Sequence, residues 1–322
     1  MAKIVSLDQI KKSLNFSDLI TDLEHGYKMY SDGNVEVPPV GFLHFDDPPG
    51  DVHLKYGYIK NDDIYVVKIA SGFYNNHELG ISSSDGLILV FSQKTGVLQS
   101  ILLDECYLTD IRTAVGGAVV AKYLAPSKVS KIGIVGTGVK ARLQLQMLQY
   151  VVDCNQFVIW GRNQEKIDLL IKDVKSQVGF WPNEFEIEGT TDMNYLTAQC
   201  NLIVTTTGAT APLIDADQIS LGTHITAMGS DDFGKMELDA KLLQKADLLV
   251  ADSISQCVHH GEMLQGIKNN YIKEEDILDL GNVISNPKLG RTDDKQITIA
   301  DQTGVAVQDI QIAKMVNKLM PQ

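Results

Sequence analysis

The chain has 322 residues, enough to bury a full core and better suited to two domains than one. At 44% hydrophobic and 21% charged it has a globular composition, and no apolar run approaches the roughly 20 residues that span a bilayer. A formal net charge of -13 argues against nucleic acid as a partner, although an acidic protein can still hold a local basic pocket.

The N-terminal MAKIVSLDQIKKSL lacks the apolar stretch of a signal peptide. Cys106, Cys154, Cys200 and Cys257 are widely spaced with no CxxC pair, so reduced thiols in a cytoplasmic protein are expected, without a metal. Residues 4–30 carry apolar groups at three- and four-residue spacings and predict a helix. SDGNVEVPPVGFLHFDDPPG reads as a turn-rich linker. The period then changes, and YGYIKNDDIYVVKIASGFY and DGLILVFSQKTGVLQSILLDE predict strands turning at NDD and QKTG.

LTDIRTAVGGAVVAKYLA, residues 108–125, predicts a helix rich in small residues, stopped by Pro126 and capped by a threonine or aspartate near Leu108. From residue 131 strands and helices alternate: KIGIV, a helix over 140–150, QFVIWG, a helix over 163–177, then NLIVTTT, GTHITAMG and ADLLVAD. That alternation predicts a mostly parallel sheet covered by helices. The last helix, VAVQDIQIAKMVNKLM, lies beyond it.

IGIVGTGVKA carries a dinucleotide fingerprint. Gly136 permits the tight turn, Gly138 lets the backbone approach a pyrophosphate, and Ala141 is the third small position; Thr137 and Val139 complete the loop. At the end of the second strand, where an acid would hold the ribose of NAD, stand Gly161, Arg162 and Asn163. The guanidinium could pair with a 2'-phosphate, which tilts NAD(P)(H) towards NADP(H). Thr205, Thr206 and Thr207 fit a loop under the cofactor or a helix cap, and Met228, Gly229 and Ser230 follow a later strand of the same unit.

Three polar positions could face a substrate at a cleft between the domains: Lys68 within YVVKIASG, Arg112 opening the small-residue helix, and Asp231 after THITAMGS. Two cations would hold a carboxylate, Arg112 by a bidentate fork, and one acid would move a proton.

LTDIRTAVGGAVVAKYLAPSKVSKIGIVGTGVKARLQ, GTHITAMGSDDFGKMEL and DQTGVAVQDIQIA together resemble the ornithine cyclodeaminase/mu-crystallin family. The resemblance implies an α/β fold with a Rossmann-type dinucleotide-binding domain over 126–299. It also implies a discontinuous α+β substrate-binding domain over 1–125, completed by 300–322, through which a homodimer forms. It assigns Lys68 and Arg112 to the substrate carboxylate, Ser83 to the neighbourhood of the nicotinamide, Asp231 to acid/base work, and Thr303, Gly304 and Val305 to backbone contacts closing the pocket. Two departures stand out. The early proline-rich segment has no arginine, and GDVHLKYG places Lys55 where ornithine cyclodeaminase has a glutamate for the amine.

A cation cannot hold an ammonium group. The ranking that follows puts first an NAD(P)-dependent reductase or dehydrogenase of a small imino or amino acid, such as a ketimine or a cyclic imine carboxylate like pyrroline-2-carboxylate. Ornithine cyclodeaminase chemistry, with catalytic NAD, comes second, and a crystallin-like nicotinamide-binding protein that is not an enzyme comes third. His53 and Lys55, two residues apart, would share one side of an extended segment and meet the far end of the substrate.

Overall fold

The computed structural model describes residues 2–177 and 184–319. The expected helix over 4–30 is instead a short strand β1 (Lys3–Val5) and two helices, α1 (Leu7–Ser13) and α2 (Phe16–Ser31). Apolar spacing alone did not carry the break. Asn15 makes it, with extended backbone and a side chain that caps α2 by accepting from Asp18 N at 3.3 Å. The expected linker contains two strands, β2 (Val35–Glu36) and β3 (Gly41–Phe45), with Pro38 and Pro39 between them and Pro48 and Pro49 after β3. The long strands are β4 (Gly50–Ile59), β5 (Ile64–Phe73), β6 (Ser84–Ser92) and β7 (Leu98–Leu102), turning where NDD and QKTG stand.

These strands form one sheet in the order β1-β7-β6-β5-β4-β2, with β3 also on β4. Ile59, Ile64, Val66, Ile88 and Val90 are buried on one face. Strand alternation puts Leu43, Phe45, Tyr56 and Tyr58 on the other face, where all four are exposed. Helix α3 (Tyr107–Leu124) follows. Its first turn is held by Asp104, whose Oδ2 accepts from Leu108 N at 2.9 Å, so the capping acid precedes Leu108 by four residues.

The alternating region supplies β8 (Ile132–Val135), α4 (Val139–Leu148), β9 (Gln156–Trp160), α5 (Gln164–Ser176), β10 (Glu186–Thr190), α6 (Met193–Gln199) and β11 (Leu202–Thr205). Next come β12 (Thr210–Ile214), β13 (His224–Ala227), β14 (Met236–Leu238), α7 (Ala240–Lys245), β15 (Leu248–Ala251), α8 (Ile254–Cys257) and α9 (Glu262–Lys268). The region closes with β16 (Ile277–Asp279), α10 (Leu280–Ser285) and β17 (Thr298–Asp301). Eight strands make a parallel sheet in the order β10-β9-β8-β11-β13-β17-β15-β16, while β12 and β14 pair apart from it. Strands β8 to β10 run outward one way and β11 starts the other side, so the order reverses between β8 and β11. That reversal is where open α/β sheets bind ligands.

Two apolar layers sandwich the sheet. Ile134, Leu145, Ile167 and Val204 belong to one, and Leu196, Ile203, Leu242 and Met263 to the other. Helix α11 (Ala306–Leu319) ends the described chain; residues 320–322, within the expected C-terminal completion of the first domain, lie outside it.

The chain divides into two compact units, residues 1–112 with 305–322 and residues 113–304. The division falls inside α3, after Arg112, rather than at its end near Pro126. In the first unit α11 lies against α2 and over β4, β5 and β6. Among the described residues no helix is long and apolar enough to cross a membrane.

Candidate active site

In the second unit a cleft of about 280 Å³ opens at the reversal of strand order, lined by Gly136, Thr137, Gly138, Trp160, Gly161, Arg162 and the Thr206–Ala209 loop. Gly136 takes φ +131, which a side chain would resist, and a Cβ there would stand 2.5 Å from Thr206 Oγ1. A Cβ on Gly138 would meet nothing within 4 Å, so the backbone at the start of α4 faces open space. Val139 is exposed at the first position of that helix and Ala141 is buried. Among the described residues no acid lines the cleft, and Arg162 is its charged residue. Asn163 does local work, capping α5 by accepting from Lys166 N at 3.1 Å.

The threonines cap no helix, since β12 follows them. Thr205 Oγ1, Thr207 N, Thr207 Oγ1 and Gly229 N all donate to Glu237, at 2.6, 2.6, 2.8 and 2.8 Å. Burial pushes the Glu237 carboxyl up, against the opposite pull of these bonds. Thr206 instead donates to Val135 O, at 2.9 Å from its backbone N and 3.0 Å from its hydroxyl. Met228 is buried and its sulfur accepts from Gln144 Nε2 at 3.0 Å; Ser230 donates to Lys235 O at 2.8 Å. Asp231, half-buried, is paired with Lys235 Nζ at 2.6 Å and Lys140 Nζ at 3.2 Å. Thr303 N and Gly304 N donate to Asp252 at 3.2 and 2.7 Å, with Gly304 at φ +81.

The first unit holds the cations. Lys68 is buried and donates to Asp309 Oδ1 at 2.9 Å. Arg112 Nε lies 3.2 Å from the same oxygen, and its Nη1 donates to Gln308 Oε1 at 2.6 Å. Gln308 Nε2 donates in turn to the hydroxyl of Tyr27. Burial and the Arg112 charge push the Lys68 ammonium down, with Asp309 pulling the other way. Burial alone would raise Asp309, but Lys68, Arg112 and Lys55 hold it below the usual carboxylate range. Asp104 is pushed up to about 6 by burial.

Antiparallel register sets Lys55 directly opposite Lys68, and His53 opposite Ala70. All three polar side chains therefore project from the helix-covered face of the sheet. His53 Nε2 lies 3.2 Å from Asp51 Oδ1. Ser83 precedes β6 and accepts Phe73 N through its carbonyl at 2.8 Å, while Val305 is fully buried.

The structure thus gathers Lys68, Arg112, Lys55 and His53 in one unit and the dinucleotide fingerprint with Asp231 in the other. Two acids had no role in the sequence reading. Asp309 has a visible signal, an acid at the end of DQTGVAVQD in an otherwise buried helix. Glu237 has none beyond its place in KMEL, because its partners come from two other strand ends.

A model of the ornithine cyclodeaminase/mu-crystallin family matches residues 2–320. An uncharacterized cyclodeaminase of Sinorhizobium fredii is 39% identical over 282 residues, covering 87% of this chain and 84% of the relative. An iminosuccinate reductase of Paracoccus denitrificans is 31% identical over 251 residues, covering 78% and 75%. Among solved structures, an archaeal alanine dehydrogenase dimer with bound NAD superposes with a TM-score of 0.89 at 27% identity, covering 98% of this chain and 95% of that one.

Proposed function

The chain belongs to the ornithine cyclodeaminase/mu-crystallin family and is an enzyme, and on that premise we propose that it reduces a small imino acid, or oxidises the matching amino acid, at the α-carbon. The carrying observation is the register that sets Lys55 opposite Lys68. A site with cations at both places suits a substrate with a carboxylate at one end and a neutral or anionic group at the other. A diamino acid would bring its distal ammonium to Lys55.

The cleft of the second unit fits a dinucleotide. Gly136 supplies the turn, the open space over Gly138 admits a pyrophosphate to the first turn of α4, and Arg162 with no acid beside it suits the 2'-phosphate of NADP(H). When bound, the nicotinamide supplies or takes the hydride. The chain's own residues do the rest. Arg112 and Lys68 hold the substrate carboxylate and so orient the α-carbon. Asp309 opposes the loss of the Lys68 proton and holds both cations in place, and Gln308 with Tyr27 fixes the guanidinium. Asp231 moves the proton that makes an imine a competent acceptor. The family resemblance assigns Ser83, Gly304 and Val305 to the substrate, and Thr206 and Thr207 line the cleft proposed for the cofactor.

The open sheet face bearing Leu43, Phe45, Tyr56 and Tyr58 suits a second copy of the chain, giving a homodimer.

The test is a panel of imines from keto acids, cyclic imine carboxylates, alanine and ornithine, followed by nicotinamide absorbance and ammonia release. Net consumption of reduced cofactor with an imino acid supports the reading. Ammonia and proline from ornithine with no net redox change assigns the cyclodeaminase reaction instead.

A further inference from the structure

Glu237 takes no part in the chemistry proposed above, yet its fully buried carboxylate has all its acceptor capacity in use. Oε1 accepts Thr207 N and Thr207 Oγ1, and Oε2 accepts Thr205 Oγ1 and Gly229 N. The residue is itself held from behind, since Glu237 N and Leu238 N donate to Glu262 Oε1 and Oε2 at 2.7 and 3.2 Å.

The four donors come from two places. Thr205 ends β11 and Thr207 lies in the loop after it, while Gly229 follows β13. The two strands are parallel neighbours with Thr205 opposite Ala227. One carboxylate therefore ties together two loops at the carboxyl edge of the sheet, beside the point where strand order reverses. The ties are close. A Cβ at position 229 would stand 1.9 Å from Thr207 O and 2.6 Å from Glu237 Cδ. On the other side of the loop, Thr206 Oγ1 would lie 2.5 Å from a Cβ at position 136. A small displacement of this loop is thus felt at the glycine turn.

We propose that Glu237 is a positioning residue for the dinucleotide, its carboxylate setting the Thr206–Ala209 wall against the Gly136 turn and so setting cofactor affinity. The inference rests on the reading of this cleft as a dinucleotide site. It carries a specific consequence for an amide in place of the acid. Each oxygen of Glu237 accepts one backbone N–H, and a backbone N–H cannot reverse its role. Whichever way a glutamine side chain is turned, its NH₂ meets one of those N–H groups. Glu237→Gln therefore costs a loop tie even though its shape is unchanged.

Reduced dinucleotides are titrated by nicotinamide fluorescence against the full chain and E237Q, with folding followed by far-UV circular dichroism. E237Q is expected to raise the Kd about tenfold or more, the cost of one buried unpaired donor. In turnover the cofactor KM rises while kcat at saturating cofactor stays within about twofold, a split that general loosening would not give. A folded E237Q with Kd within about twofold of wild type overturns the inference, whatever its melting temperature. Should E237Q not fold, T205V decides. Thr205 is buried outside the cleft lining, and its hydroxyl is one of the four donors to Glu237. A Kd raised about threefold or more supports the role, and an unchanged Kd overturns it. Failure of the wild-type chain to bind either dinucleotide overturns the cofactor reading and the inference together. Binding by wild type with unaltered variants overturns the inference alone.

Discussion

Lys68 and Asp309 stand 241 residues apart in the chain and 2.9 Å apart in space. Arg112 Nε approaches the same oxygen at 3.2 Å, so one carboxylate serves two buried cations and leaves a surplus positive charge. That surplus suits a substrate carboxylate.

Removing the shared acid tests this balance. D309N is expected to lose about 3–5 kcal/mol of stability, because two buried cations lose their counter-charge. Urea unfolding measures it. Small carboxylates should also raise the melting temperature of D309N more than that of wild type, and equal shifts would place the carboxylate elsewhere.

Arg162 is the charged residue of the dinucleotide cleft. R162A is expected to weaken NADPH by roughly 1.5–3 kcal/mol, about 10- to 150-fold, with little change for NADH. Fluorescence titration of both cofactors reads the difference. Parallel weakening of the two would leave the guanidinium stacked on adenine rather than paired with phosphate.

Lys55 is the residue proposed to meet the far end of the substrate. K55E is expected to lower kcat/KM about tenfold or more for an imine with an anionic far end and much less for one with a neutral end. Steady-state rates with matched substrates check this. Equal effects on both would put Lys55 outside the pocket.

Asp231 is held by Lys140 and Lys235 within its own unit. D231N keeps the shape and loses the proton carrier, so kcat should fall about a hundredfold or more while cofactor Kd holds. Single-turnover absorbance isolates the chemical step, and an unslowed step removes Asp231 from it.

Glu262 makes a pH prediction. Burial pushes its carboxyl from the ordinary 4.5 up to about 8. Between those values the folded chain keeps a proton that the unfolded chain has shed. Its stabilisation is therefore fully present below pH 4.5 and lost as pH rises through 8. E262Q cannot titrate, so wild type should lose stability relative to E262Q from pH 5 to 9 in thermal melts. Parallel profiles would mean that the group stays ionised across that range.

The parallel sheet and its glycine turn were legible because their signals are local. KIGIV and NLIV are short apolar runs, and IGIVGTGVKA states its turn within a few residues. Lys68 could be placed on a strand, Lys55 only in an extended segment before the first expected one, where β4 in fact begins at Gly50. The departure at Lys55 was visible before the register was known. The break at Asn15 and the strands around Pro38 and Pro39 were not, because side-chain capping and edge pairing leave no periodicity. The insertion of β17 between β13 and β15 depends on packing across the whole sheet. The same holds for the ties of Asp309 and Glu237, whose roles come from partners far along the chain.

The first unit is built from two stretches separated by the whole of the second, and that has a consequence during synthesis. Residues 1–112 leave the ribosome well before Ala306–Leu319, the helix that covers β4, β5 and β6. Until it arrives, Ile59, Val66 and Ile88 have no cover from that helix and Lys68 and Arg112 lack their acid. The second unit is one unbroken stretch and can close its own sheet as it emerges. The second unit can thus complete its fold before the first, whose sheet waits for Ala306–Leu319. A chain cut before Ala306 keeps the unbroken second unit whole and leaves the sheet of the first without that helix and without Asp309.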